Sequence, residues 1–207
     1  MALNLPSQTR APMLLLGDCR TVLPTLNAAS VQSCLTHPPY WQAHGETELG
    51  GESTRLAYQR HVVDALHGVR RVLRPDGDLW LLLDSRAVIP ALVADGWRLT
   101  STIPYGTEWL IHFGPTAPPC APLPALPPDD VVLQFDQYTP WPHAVVTYCL
   151  DASTQPGDLV LDPMMGIGTT GRVALRAGRR FVGIERSLMT YAAAVAYVRY
   201  HERISSV

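Results

Sequence analysis

The chain contains no lysine: all 16 of its basic residues are arginine. Set against 18 acidic residues they leave a net charge of −2, which excludes a uniformly basic nucleic-acid coat but not a local patch. Arginine's planar fork suits bidentate contact with phosphate or carboxylate, although a coding bias toward arginine gives the same composition. Cysteine is also scarce. The four residues, Cys19, Cys34, Cys120 and Cys149, form no Cys-x-x-Cys pair and no Cys/His cluster at zinc spacing. A disulfide scaffold and a zinc centre are therefore excluded, and free thiols in a reducing compartment are expected. No apolar run approaches the ~20 residues that span a bilayer. The N-terminal stretch carries only a short apolar run at 13–16, so no signal peptide is read there and a cytoplasmic location is expected. Charged residues make up 16% and hydrophobic ones 47%, enough for a sizeable core, and 207 residues fit one domain over 1–207.

Strand-like and helix-like segments alternate along the chain. "PMLLL" (12–16) reads as a strand ending at Gly17-Asp18, 19–28 as a short helix, and "SVQSCLT" (30–36) as the next strand. Apolar residues at helical spacing from Thr54 to Leu73, beginning with Leu56, predict a helix closed by the turn "RPDG" (74–77). "DLWLLLD" (78–84) is a continuous apolar run, as in a strand buried on both faces. A helix at about 86–95 and two strands in 97–105 and 108–114 follow. Half the positions in 115–128 are proline, which predicts a stiff, extended connector over 115–130, and "VVLQF" (131–135) reads as a short strand. Helix 143–154, strand 157–162, helix 168–178, strand 179–185 and helix 187–203 complete the pattern. Such alternation predicts an α/β fold with a mostly parallel sheet covered on both faces.

Two stretches carry the chemistry. In "LTHPPYWQ" (35–42) two prolines stop a strand and remove two backbone donors. In "VLDPMMGIGTTGRVALRAGRRFVGIE" (160–185) a strand runs into Asp162, a glycine turn at Gly166 and Gly168, and a helix; a second strand then ends at Glu185. This is nucleotide-binding logic, with glycines for close backbone approach and an acid to accept ribose hydroxyls. The dinucleotide fingerprint is not completed, because Thr169, Thr170 and Gly171 follow Gly168. A carboxylate at Asp162 would repel pyrophosphate and suit a cationic ligand such as S-adenosylmethionine better than NAD.

"DPMMGIGTT" with "GIE" resembles the S-adenosylmethionine motif of amino-directed DNA methyltransferases, and "HPPY" resembles their catalytic tetrapeptide, [D/N/S]-P-P-[Y/F/W]. The catalytic motif precedes the cofactor motif, the order of the family's beta class, so the resemblance implies a Rossmann-like methyltransferase fold with circularly permuted motifs. "GDC" (17–19) is similar to the family's adenine-contacting turn, "RRVLRPDGDLWLLL" (70–83) to the stretch between the motifs, and "TPWPHAV" (139–145) to the segment ahead of the cofactor strand. The resemblance thus implies cofactor contacts from Asp18, Cys19, Asp162, Pro163, Met164, Gly166, Gly168, Thr169, Thr170 and Glu185, and a catalytic group of His37, Pro38, Pro39 and Tyr40. Met164 stands where phenylalanine is usual, and His37 where Asp, Asn or Ser is usual.

The implied reaction is methylation of an exocyclic amine of cytosine (N4, slightly preferred on the Thr-x-Pro-Pro-Tyr-Trp context) or adenine (N6) in DNA. That amine's lone pair is delocalised, so acceptors at position 37 and the Pro38 carbonyl would localise and orient it, while Tyr40 stacks on a base turned out of the helix. His37 can accept only when neutral, so activity is expected to fall as the imidazole gains its proton. No covalent cysteine is needed, and Cys120 in "PPC" has no supporting motif. Little material is left for target recognition beyond 42–53 and the proline-rich connector, which leaves room for a homodimer or a separate specificity partner. A catalytically inactive cofactor- or DNA-binding subunit and an RNA methyltransferase are the alternative readings.

Overall fold

The computed structural model describes residues 11–39, 54–118 and 141–199. Seven strands form one sheet: β1 (Met13–Leu16), β2 (Val31–Thr36), β3 (Leu73–Leu83), β4 (Leu99–Tyr105), β5 (Glu108–Phe113), β6 (Leu159–Asp162) and β7 (Arg180–Glu185). Their order is β1-β7-β6-β2-β3-β5-β4. The first five in that order run parallel, and β5 and β4 are antiparallel additions. Antiparallel pairing follows from the link between β4 and β5, a two-residue Gly106-Thr107 turn with Gly106 at φ 60°. Parallel neighbours need helical crossovers, and these cover both faces. The helices are α1 (Cys19–Val22), α2 (Arg55–Val72), α3 (Ile89–Ala94), α4 (His143–Ser153), α5 (Thr169–Arg176) and α6 (Leu188–Arg199).

Alternation along each strand splits the core in two. Cys34, Leu79, Leu81, Ile111 and Leu161 pack under α1 and α2 with Val62, Leu66 and Val69. Leu35, Trp80, Leu82, Leu110 and Val160 face α4, α5 and α6 with Val145, Cys149 and Val198. Thr54 caps α2 by accepting from the Ala57 amide at 3.2 Å. The face that α2 buries passes through Tyr58, His61, Val62, Ala65, Leu66, Val69 and Val72. Leu56, expected on that face, is exposed because it falls on the other side of the first turn.

Two expectations are adjusted. Residues 19–28 form only one α-turn and a 3₁₀ turn (Leu23–Thr25), which carries Pro24 at its start. "RPDG" lies within the span of β3, accommodated by a register shift from Val31↔Leu73 to Ser33↔Asp78. A side chain at Gly77 would come within 2.9 Å of the Gln32 carbonyl, so glycine is needed where the bulge crosses β2. The proline-rich connector from 119 and the strand read at 131–135 lie outside the described residues.

At the sheet end away from the strands' common carboxyl edge, a buried polar relay joins β3, β4 and β5. His112 donates through Nε2 to the Asp78 carboxylate at 2.7 Å, bonds Thr100 through Nδ1, and lies 4.1 Å from the Trp80 ring. Removing one member strands the others in a dry site. Asp78→Ala is therefore expected to lower unfolding free energy by roughly 2–4 kcal/mol, read in chemical denaturation, with cofactor affinity unchanged.

Several arginines serve the same end. Arg71 donates to the Leu23 and Leu26 carbonyls at 2.7 and 2.6 Å, Arg179 to the Thr154 carbonyl at 3.0 Å, and Arg180 to the Gly157 carbonyl at 2.9 Å. These side chains staple loops, which accounts for three of the nine arginines from 70 to 180.

Candidate active site

The carboxyl ends of β1, β7, β6 and β2 lie side by side, and each delivers a residue singled out in the sequence. Parallel pairing sets Leu16 opposite Glu185, Asp162 opposite Gly183, and Cys34 opposite Leu161. The order therefore brings Asp18, Glu185, Asp162 and His37 to one edge, where ligands bind in open α/β sheets.

Asp162 ends β6 with 2% exposure. Its Oδ2 accepts from the Thr170 hydroxyl at 2.7 Å and its Oδ1 from the Met164 amide at 3.2 Å. Burial pushes the carboxyl up to about 6, against the opposing pull of the Thr170 and Thr36 hydroxyls, the Met164 amide and nearby His37. Pro163 is buried and turns the chain, Met164 is half-buried, and Met165 packs beneath with its amide on the Ile184 carbonyl at 3.0 Å. Gly166 has φ 53° and open space where a side chain would project. Gly168, the N-cap of α5, has φ 88°, and a side chain there would meet Val198 at 2.5 Å. Thr169 and Thr170 open α5, both buried.

Glu185 ends β7. Its carboxylate accepts from the Gly166 amide at 3.1 Å and the Ser187 amide at 2.8 Å, tying the glycine turn to the strand end. Asp18 caps α1 and is gripped by Arg20, whose Nε and Nη2 lie 3.0 and 2.6 Å from its two oxygens. Hydrogen bonding to Arg20 holds its carboxyl at about 2. The neighbouring Cys19 is buried, and desolvation followed by the Asp18 charge raises its thiol to about 11. Cys19 is an inert wall residue rather than a nucleophile.

His37 leaves the end of β2 with its side chain only 9% exposed. Pro38 is buried and Pro39 half-buried. Tyr40, Trp41 and Cys120 lie outside the described residues. His37 sits edge-on to Trp141 at 6.1 Å between ring centroids, and its Nε2 is 2.9 Å from Oε1 of Glu108. Glu108 and Trp141 are site residues that the sequence reading passed over. Glu108 opens a strand that carries no motif, and it reaches the edge only because β5 runs antiparallel to β3, with Leu83 opposite Trp109.

The donor set suits S-adenosylmethionine. Gly166 leaves open space for a ligand, and the buried Thr169 hydroxyl has no partner among the described residues. Two buried carboxylates, Asp162 and Glu185, can receive an ammonium and ribose hydroxyls, whereas a phosphate would be repelled. Fold and site together define an S-adenosylmethionine-dependent methyltransferase.

Comparison with known proteins narrows the class. A family model described as DNA methylase matches residues 126–195. The type II methyltransferase M.XycI of Xanthomonas campestris pv. cyanopsidis is 28% identical, aligned over 87% of this chain and 85% of its own. M.SmaI of Serratia marcescens is 25% identical, over 87% and 88%. Among solved structures, a DNA modification methylase of Thermus thermophilus in complex with S-adenosyl-L-methionine superposes with TM-score 0.68 and 25% identity, covering 92% of this chain and 95% of that one. PvuII DNA methyltransferase (cytosine-N4-specific) shares the fold at TM-score 0.71 and 17% identity, over 93% and 89%. The chain is similar over most of its length to amino-directed DNA methyltransferases, and its site residues fit the S-adenosylmethionine that the Thermus thermophilus neighbour holds. No helix among the described residues is long and apolar enough to cross a membrane.

Proposed function

We propose that this chain methylates the exocyclic amine of a base in DNA, cytosine N4 ahead of adenine N6, as a single methyltransferase domain working in the cytoplasm. The observation that carries the reading is the adjacency of β2 and β6, which sets His37-Pro38-Pro39 beside Asp162 at one sheet edge. Bound there, the cofactor supplies an electrophilic methyl group on a sulfonium. Asp162, Gly166, Thr169 and Glu185 hold and orient it, with Asp18, Cys19, Pro163, Met164, Gly168 and Thr170 shaping the walls. His37 and the Pro38 carbonyl accept hydrogen bonds from the amine, and the two prolines fix that carbonyl before the base arrives. Tyr40 stacks on the flipped base. The cytosine preference rests on the Thr-x-Pro-Pro-Tyr-Trp context alone.

Exposed arginines at the same edge fit a phosphate backbone. Arg86 lies 4.0 Å over the Trp109 ring, while Arg20 and Arg186 follow the ends of β1 and β7. Sequence choice needs more surface than 42–53 and the connector offer, so a second copy or a specificity partner completes the interface. Incubation with methyl-labelled cofactor and duplex DNA, single-stranded DNA or RNA tests the reading. Label in DNA is expected. Label in RNA alone would make the chain an RNA enzyme, and cofactor binding without transfer would make it a non-catalytic subunit.

A further inference from the structure

We propose that Arg86, held over the ring of Trp109, grips a phosphate of the DNA strand that carries the target base, with Trp109 as its positioning residue. The inference rests on the DNA-methylation reading and adds to it a specific contact and the side on which that strand crosses the site.

The sheet order divides the edge in two. β1, β7 and β6 bring up Asp18, Glu185 and Asp162, and β2 brings up the proline corner. Beyond β2, the ends of β3 and β5 carry none of the proposed cofactor residues, so a strand feeding a base into the corner has that half of the edge to lie on. Leu83, the last residue of β3, pairs with Trp109 near the start of β5. The chain leaving β3 therefore passes over the indole, and Arg86 Cζ lies 4.0 Å from its ring centroid. Trp109 follows Glu108, whose carboxylate is 2.9 Å from His37, so the stack borders the corner.

Arg86 is fixed at both ends. Ser85 Oγ accepts the Ala87 amide at 3.2 Å, and the Arg86 carbonyl accepts the Ile89 amide at 3.0 Å. Buried Val88 anchors this turn, and the half-buried indole packs against the core under α2. A guanidinium over an aromatic ring engages the ring with its flat face, which leaves the N–H donors around its rim for a ligand. A phosphate then meets a fork already in place, and little side-chain freedom is lost on binding. The charge is also unspent. No ion pair holds Arg86 among the described residues, and its side chain is exposed. Arg20, in contrast, grips both oxygens of Asp18, and Arg55 faces Asp84 at 3.9 Å. Base edges are read by an element that enters a groove, whereas a short turn lying against the sheet end reaches the backbone.

Fluorescence anisotropy of a labelled random-sequence DNA duplex, titrated with the full chain at several salt concentrations, tests the proposal. Each phosphate contact contributes about 0.9 to the slope of log affinity against log salt. Arg86→Gln should reduce that slope by about 0.9 and weaken binding about 10-fold, to the same extent on duplexes of different sequence. Arg86→Lys keeps the charge and should keep the slope. Trp109→Leu should also keep the slope and weaken binding about 3-fold, because the cation loses its platform. Thermal melting and S-adenosylmethionine affinity should be unchanged in Arg86→Gln, which separates a lost contact from a damaged fold. A wild type that binds DNA with a slope indifferent to Arg86→Gln overturns the clamp alone. A loss confined to one duplex sequence overturns it as well, since it would make Arg86 a base reader. A wild type that binds no duplex at low salt overturns the DNA reading and the clamp with it.

Discussion

Asp162→Asn is expected to stabilise the unliganded protein while costing it most of its affinity for S-adenosylmethionine. The carboxyl is fully enclosed and titrates at about 6, above the ordinary 3.8. Between those values the folded state holds a proton that the unfolded chain has lost. Stability attributable to this group is therefore complete below about 3.8 and is lost as pH rises through about 6. The difference corresponds to roughly 3 kcal/mol at about 1.36 kcal/mol per pH unit. Asparagine can keep the Thr170 hydroxyl as a partner and carries no charge, so a gain of about 1–3 kcal/mol at neutral pH is expected, visible as a higher Tm. The same charge is what a cationic ligand needs. Affinity for S-adenosylmethionine in wild type should rise from pH 5 to 7 as Asp162 ionises, and calorimetry should show Asp162→Asn weak and nearly pH-independent over that span. A pH-independent wild-type affinity would remove Asp162 from the cofactor's contacts.

Glu185→Gln should lower affinity as severely, with the opposite effect on stability. Each Glu185 oxygen already accepts a backbone N–H, from Gly166 and from Ser187. Glutamine turns one of these acceptors into a donor pointed at a donor, in a side chain only 9% exposed. That mismatch is expected to cost about 1–3 kcal/mol and to loosen the glycine turn of the proposed cofactor site. Cofactor affinity should fall about 100-fold, since a charge-assisted pairing with ribose hydroxyls is lost together with the turn geometry. The two variants thus separate cofactor binding from stability: both bind poorly, one melts higher and the other lower. If Glu185→Gln bound the cofactor like wild type, the ribose role would belong to another residue.

Much of this architecture was legible in the chain because its signals are local. A continuous apolar run marked β3 as a strand buried on both faces, the strand running into Asp162 was read as β6, and the glycine turn before Thr169 placed the start of α5 to within a residue. Both motif ends, His37 and Asp162, were visible because prolines stop the strands just there. What the sequence withheld depends on pairing between distant strands. Nothing at Glu108 signals that an antiparallel hairpin will carry it beside a residue 71 positions earlier. Trp141 carries no signal of its own within "TPWPHAV", and only the folded chain sets it against His37. The arginines from 70 to 180 were ambiguous for the same reason, since only the fold shows which carbonyls they reach. Asp18 was read as an adenine contact; its carboxylate is engaged by Arg20, so any part it takes in the pocket begins from that pair.

The central claim is that the β2 and β6 strand ends form one site for methylating a base amine. Nucleoside analysis of DNA methylated with labelled S-adenosylmethionine tests it most directly. The account predicts label in N4-methylcytosine or N6-methyladenine, lost in Asp162→Asn. Label in 5-methylcytosine, or transfer that persists in Asp162→Asn, would contradict it.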